Sequence, residues 1–221
     1  MWNKQNWASI CLLAVLSGFL IFEPAMAQDE ATDEHAPKIF DGFYAGVDIG
    51  RQNVIGGSLV NGIDVLAQDS RTVVSFFGGF RKQFAGGFVL GAEGGYGVMD
   101  GDLALADPAN QLFVAYDNNS QFHYGLILGH TLGSKKDMLL FGYVSEVSRS
   151  FDVAISSAGS AFTQTDEQGL LRFGAGIEKH VAGPFLVRAT AGTSRADFGG
   201  AVTNIDPATK FDASAALIVQ F

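Results

Sequence analysis

From Gly42 onward apolar residues alternate with small or polar ones at a period of two. The alternation falls into eight segments, each near the roughly 9 to 11 residues a tilted strand needs to cross a bilayer. In 43–51, Phe43, Ala45, Val47 and Ile49 face one way and Tyr44, Gly46, Asp48 and Gly50 the other. Segment 71–81 sets Val74, Phe76 and Phe80 against Ser75, Gly79 and Arg81, with Val73 and Phe77 blurring the contrast. Segment 88–98 offers Leu90, Ala92, Tyr96 and Val98 to lipid and turns Gly91, Glu93, Gly95 and Gly97 inward. In 121–132, Phe122, Tyr124, Leu126 and Leu128 oppose His123, Gly125, Ile127 and Gly129. Segment 138–149 is expected to face lipid with Leu139, Phe141, Tyr143 and Val147, and the lumen with Gly142, Val144, Glu146 and Ser148. Segments 168–180 and 185–195 place Leu171, Phe173, Ala175, Ile177, Val187, Ala189 and Ala191 outward. Arg172, Gly174, Gly176, Glu178, Arg188, Thr190, Gly192 and Ser194 point inward. The last segment is 210–221.

The connections alternate in length. Residues 52–70, 99–120, 151–167 and 196–209 read as long loops, whereas 82–87, 133–137 and 181–184 are short. Short periplasmic turns and longer extracellular loops produce this rule, and an even strand number closes a cylinder. A soluble β-sandwich has no reason to obey it, nor to expose so broad an apolar face. The fold expected is therefore an all-β, eight-stranded, antiparallel, up-and-down transmembrane β-barrel.

Composition then narrows the picture. The chain is 48% hydrophobic and carries 28 glycines, yet after Gln28 no apolar run is long enough for a membrane helix. Before that point Lys4, an apolar run over 8–22 and the small-x-small site Ala25-Met26-Ala27 make 1–27 a signal peptide, with the mature chain starting at Gln28. Residues 28–41 are acidic, contain Pro37 and read as a flexible leader, leaving 42–221 as the barrel domain. The only cysteine, Cys11, lies in the signal peptide, so the mature chain offers no disulfide or thiolate metal site. A net charge of −9, with 23 acids against 14 bases, argues against a nucleic-acid partner.

Candidate chemistry concentrates on the inward list. Asp48, Glu93, Glu146, Glu178 and Asp212 can meet Arg81, Arg172 and Arg188, and in a lumen filled by side chains such charges must pair. One contact follows from parity. If Glu178 and Arg188 both point inward, a register in which paired numbers sum to 366 sets them opposite, with Val181 across from Phe185 and Ala182-Gly183-Pro184 as the loop. In that register Arg188→Ala should cost more than replacing both partners by glutamine. A narrow ion path along these groups is the alternative role. His123 and His130 are an odd number apart and face opposite ways, while His35 lies in the leader and His180 at a turn, so no nucleophile and base are paired. Neither catalytic residues, a cofactor site nor a metal site is expected. The acidic groups Asp100, Asp102, Asp107 and Asp117, and Asp152, Asp166 and Glu167, read as solvated surface charge, with a divalent cation at Asp100 and Asp102 as the other possibility.

Counting back from the end, Phe221, Val219, Leu217, Ala215, Ala213 and Phe211 are apolar at alternate positions. This ending resembles the C-terminal signal by which barrel-assembly machinery recognises outer-membrane barrels, with Phe221, Val219 and Leu217 as its residues. The opening Gly42-Phe43-Tyr44-Ala45-Gly46-Val47-Asp48-Ile49-Gly50, together with Gly91-Ala92-Glu93, Gly174-Ala175-Gly176-Ile177-Glu178 and Val219-Gln220-Phe221, resembles the small OmpA-like and opacity-like surface barrels, often labelled the porin family. The resemblance implies a cell outer-membrane location among lipid and lipopolysaccharide. It also implies a structural or surface-interactive role, with adhesion or a narrow pore second and lipid A modification third. The mature chain departs from the family in having no tryptophan for its girdles, Trp2 and Trp7 being in the signal peptide. Phe40, Phe84, Phe88 and Phe185 are expected to take that place on the periplasmic side.

Overall fold

The computed structural model describes residues 38–60, 63–101, 103–107, 111–157, 160–196 and 211–221. The signal peptide, most of the leader and the last long connection lie outside the described residues. The strands are β1 (Gly42–Val60), β2 (Ile63–Gln83), β3 (Phe88–Met99), β4 (Leu103–Asp107), β5 (Leu112–Leu132), β6 (Met138–Ser157), β7 (Ser160–Ala182), β8 (Phe185–Ala196) and β9 (Phe211–Gln220). All neighbours pair antiparallel, and β1 pairs with both β2 and β9 while β3 pairs with β5. Eight strands thus close into a cylinder. The short β4 pairs only with the outer end of β5, from Leu103 across from Tyr116 to Asp107 across from Leu112.

The wall is built for a bilayer. Phe43, Val47, Phe76, Phe80, Leu128, Leu140, Phe173, Val187 and Leu217 are exposed, and the alternate positions are buried or half-buried inside. An apolar surface encircling the molecule would not survive in water, and a closed barrel leaves no unpaired strand edge in hydrocarbon. Phe221 donates its backbone N–H to Phe43 O at 2.8 Å, which puts the two ends of the barrel chain on the side of the short turns. That side is periplasmic by the loop-length rule.

Four expectations need correction. First, the facing of 138–149 is reversed. Leu139, Phe141 and Val147 are buried and Tyr143 half-buried inside, while Leu140, Gly142, Val144, Glu146 and Ser148 are exposed on the wall. The register decides this, because Leu128 pairs with Gly142, Leu126 with Val144 and Tyr124 with Glu146, and paired residues share a face. Volume agrees with it. Glycine at 129 and 176 leaves room for Phe141, whose ring would collide with a Cβ at 176, and a Cβ at 129 would lie 2.7 Å from Phe141 Cβ. Glu146 is therefore not a lumen charge.

Second, most of the presumed long loops are strand. β5, β6 and β7 run for 21, 20 and 23 residues. At about 3.4 Å per residue they far exceed the roughly 25 Å apolar band, so they continue above the membrane. Polar outward residues there made them look like loops, but inward residues of β5 (Leu112, Val114, Tyr116) and β6 (Phe151, Val153, Ile155) form an apolar cluster with Val54 of β1 and Leu103 of β4. Third, Phe40 is not a girdle residue, because it is fully buried at the periplasmic mouth and packs in the lower lumen cluster. Fourth, the β7–β8 turn is tighter than expected. Ala182 pairs with Phe185 and a register shift between His180 and Ala182 absorbs Val181, with Gly183 at φ +55° in the turn.

Candidate functional site

The lumen holds the molecule's concentrated polar chemistry, and it is layered. Nearest the periplasm, Glu178 and Arg188 are directly opposed on β7 and β8. Arg188 Nε donates to Glu178 Oε1 at 2.9 Å and its Nη1 to Glu93 Oε2 at 2.6 Å. Arg81 Nη1 donates to Glu178 Oε2 at 2.6 Å, so one carboxylate joins two guanidinium groups. Arg81 also donates from Nε and Nη2 to Gln220 Oε1, at 3.0 and 2.6 Å, and Gln220 Nε2 donates to the carbonyls of Asp41 and Phe43.

These charges sit in an apolar bed. Tyr44, Phe77, Val89, Ile127, Leu139, Phe141, Leu186 and Ile218 surround them, and Tyr44 donates its hydroxyl to Glu93 at 2.9 Å. Arg81 lies 4.5 Å over the Tyr44 ring and Arg188 lies 4.8 Å over that of Phe77. Such stacking suits arginine, whose flat cation is weakly hydrated. Phe40 closes the mouth, with Arg81 at 5.1 Å from its ring and its N–H donated to Gln83 Oε1.

Above this layer is a cavity of about 50 Å³ between Asp48, Ser75, Glu93, His123, Arg172, Arg188 and Thr190. A volume of roughly 10 to 15 Å³ admits one water on this scale, so the space suits a few waters and not an organic substrate. His123 Nε2 is 4.0 Å from Glu93 Oε1. Asp48 Oδ1 and Ser75 Oγ have no partner among the described protein atoms.

In the third layer Arg172 and Asp212 were expected as lumen charges, and Arg149 was not. Arg149 is completely buried, and its donors go to Gln121 Oε1, Asn53 O and Gln52 Oε1 at 3.3, 2.9 and 3.1 Å. Asp212 is equally buried and accepts from Asn53 N at 2.7 Å and Ser194 Oγ at 2.6 Å, with Arg172 Nε at 3.3 Å. Asn53 therefore links the carboxylate to the Arg149 cation. The apolar cluster of the extracellular strands lies beyond. Of the residues expected to carry the lumen charge network, Arg81, Glu93, Glu178 and Arg188 come together, Arg172 and Asp212 form a second group, Asp48 faces the cavity, and Glu146 stands outside.

The chain is an outer-membrane β-barrel, defined by the closed sheet, the apolar wall and the polar filling. No family model matches the sequence, and no curated protein matches it. Among solved structures, similarity extends to Neisserial surface protein A, at 12% identity and a TM-score of 0.45, covering 82% of this chain and 98% of that one. The attachment invasion locus protein Ail of Yersinia pestis is similar at 14% identity and a TM-score of 0.43, covering 81% and 97%. The N-terminal β-barrel domain of Pseudomonas aeruginosa OprF follows at 13% and 0.40, covering 82% and 98%. The closure and facing described above stand on this chain's own pairings, independent of these likenesses.

Proposed function

We propose that the protein is a non-conducting scaffold that holds a rigid β-structure above the outer membrane for surface interaction. The observation that carries this is the extension of β5, β6 and β7 beyond the membrane, with an apolar core there that β5 and β6 form with Val54 of β1 and Leu103 of β4. Binding sites are commonly borne on surfaces held by such rigid supports. Lumen filling fits the same role, since Phe40, the Arg81–Glu178–Arg188 layer and the Arg149 layer each occupy the cross-section that a conducting path would need. In this reading Leu217 and Val219 at the end of β9 and Phe221 just past it present the surface that barrel-assembly machinery takes up.

Lipid A modification is disfavoured by the histidines. His123 is enclosed beside Glu93, and His130 on the outer wall donates from Nδ1 to Thr131 O at 2.7 Å. Planar-bilayer recording of the refolded protein tests the scaffold against the pore. A silent membrane is expected, and reproducible unitary conductance steps would return the narrow pore to first place.

A further inference from the structure

Glu146 sits on the outer wall, and its Oε2 accepts the Tyr124 hydroxyl at 2.5 Å. The rings of Tyr124 and Phe122 are 6.1 Å apart, and Tyr96 is the rung partner of Phe122. The three rings are 44%, 51% and 53% exposed. Beside them the wall is low: Gly94 pairs with Tyr124, Gly169 pairs with Ser148, and a Cβ at Gly169 would meet nothing within 4 Å. Aromatic faces and one carboxylate therefore border a shallow dip.

Depth fixes the surroundings of this patch. The outward series on β6 runs Leu140, Gly142, Val144 and then Glu146, Ser148 and Ser150; on β5, Leu128, Leu126, Tyr124 and Phe122 give way to Ser120. The patch marks the level where the wall passes from hydrocarbon to head groups on the extracellular side. Among the described residues no cation pairs with Glu146. A carboxylate with one oxygen engaged and no counter-ion at that depth is stabilised by hydroxyl donors from outside the protein. Aromatic faces suit the C–H faces of a sugar ring, and a carboxylate accepts from its hydroxyl pairs.

We propose that Tyr96, Phe122, Tyr124 and Glu146 bind the saccharide head group of an outer-leaflet glycolipid. The rings pack against the sugar, and Tyr124 holds the carboxylate so that Oε1 is presented to its hydroxyls. This rests on the outer-membrane location and is independent of the scaffold role. A bare phosphate would be repelled by Glu146 and would need a bridging divalent cation.

The probe is purified lipopolysaccharide added to phospholipid nanodiscs holding the refolded full barrel, with EDTA present and bound glycolipid read by native mass spectrometry. Wild type should retain glycolipid, and Glu146→Leu should retain it about tenfold more weakly, the scale of one charge-assisted hydrogen bond. Phe122→Leu should weaken retention as well, while Leu140→Ala, lower on the same wall, should match wild type. Heat-shifted gel mobility verifies that each variant is folded. Equal retention by wild type and Glu146→Leu overturns the proposal. So does retention that EDTA abolishes, or equal retention of phosphatidylglycerol in place of the glycolipid.

Discussion

Two arginine layers fill one lumen by different means. In the periplasmic layer Arg81 and Arg188 meet carboxylates directly, with the Glu178 side chain completely buried between them. In the extracellular layer Arg149 is just as buried but meets only amide and carbonyl oxygens, and its nearest carboxylate, Asp212, acts through Asn53. A buried charge whose partner is removed is expensive, whereas a buried polar group replaced together with its charge costs little more than the hydrogen bonds left open. The layers should therefore respond very differently to the loss of one group.

The largest effect is expected at Glu178. Glu178→Gln removes the negative charge that Arg81 and Arg188 share and leaves one amide oxygen where two carboxylate oxygens accepted, and should lower stability by roughly 3–5 kcal/mol. Urea unfolding of the protein folded into lipid vesicles would measure it. Parity alone sets Arg188→Ala only against replacement of both partners by glutamine, and the position of Arg81 adds to that comparison. Because Arg81 also reaches Glu178, loss of Arg188 leaves that carboxylate paired and takes the guanidinium from Glu93, which keeps the Tyr44 hydroxyl. A Glu178→Gln midpoint equal to wild type would mean that the lower layer is held by its aromatic bed and not by charge.

Arg149→Met should be much milder, about 1–2 kcal/mol, since it removes the cation and leaves only neutral acceptors unpaired. Asp212 keeps Arg172 and Ser194 in that variant. A loss as large as that of Glu178→Gln would show that Asp212 depends on Arg149 across the intervening residue, and the contrast between the layers would fall.

The periplasmic layer was legible in the sequence, and the extracellular one was not, for a physical reason. Glu178 and Arg188 sit in two strands whose alternation is clean, joined by a short turn, so parity alone sets them opposite. The bulge at Val181 changed the turn without changing that register. Arg149 ends a segment in which apolar residues occupy both faces, Leu139 and Phe141 inside and Leu140 and Val144 outside, and a two-state pattern of apolar against polar carries no sign there. Of its partners, Gln52 and Asn53 read as part of the loop 52–70, and Gln121 as the first residue of its segment. They are interior because the strands continue past the membrane, where outward positions such as Asp152 and Ser156 are polar and the inward Val153 and Ile155 remain apolar. Volume complementarity was the available clue, since glycines at 129 and 176 flank the place where Phe141 must go.

The smallest expected effect contrasts the lumen with the periplasmic turns, where the cations are lysines. Lys82 pairs with Asp41 at 3.2 Å and Lys179 with Asp137 at 2.7 Å, both in contact with water. The hydrogen bond from Lys179, aided by its charge and that of Lys135, holds the Asp137 carboxyl below its ordinary value of 3.8 despite partial burial. A lowered carboxyl pKa means that the folded protein binds this proton less readily than the unfolded chain. The stabilisation is thus fully present above the ordinary value and is lost as pH falls through the folded one. Asp137→Asn should lower the unfolding midpoint only slightly at neutral pH, less still at high salt, and the gap from wild type should close as the pH falls through the lowered carboxyl value of the folded protein. Glu178→Gln at the same salt concentrations should keep its full effect, because ions do not reach the lumen layer to screen it. If the Asp137→Asn gap persists unchanged in acid, where the wild-type carboxyl is itself uncharged, the contribution of Asp137 is not ionic.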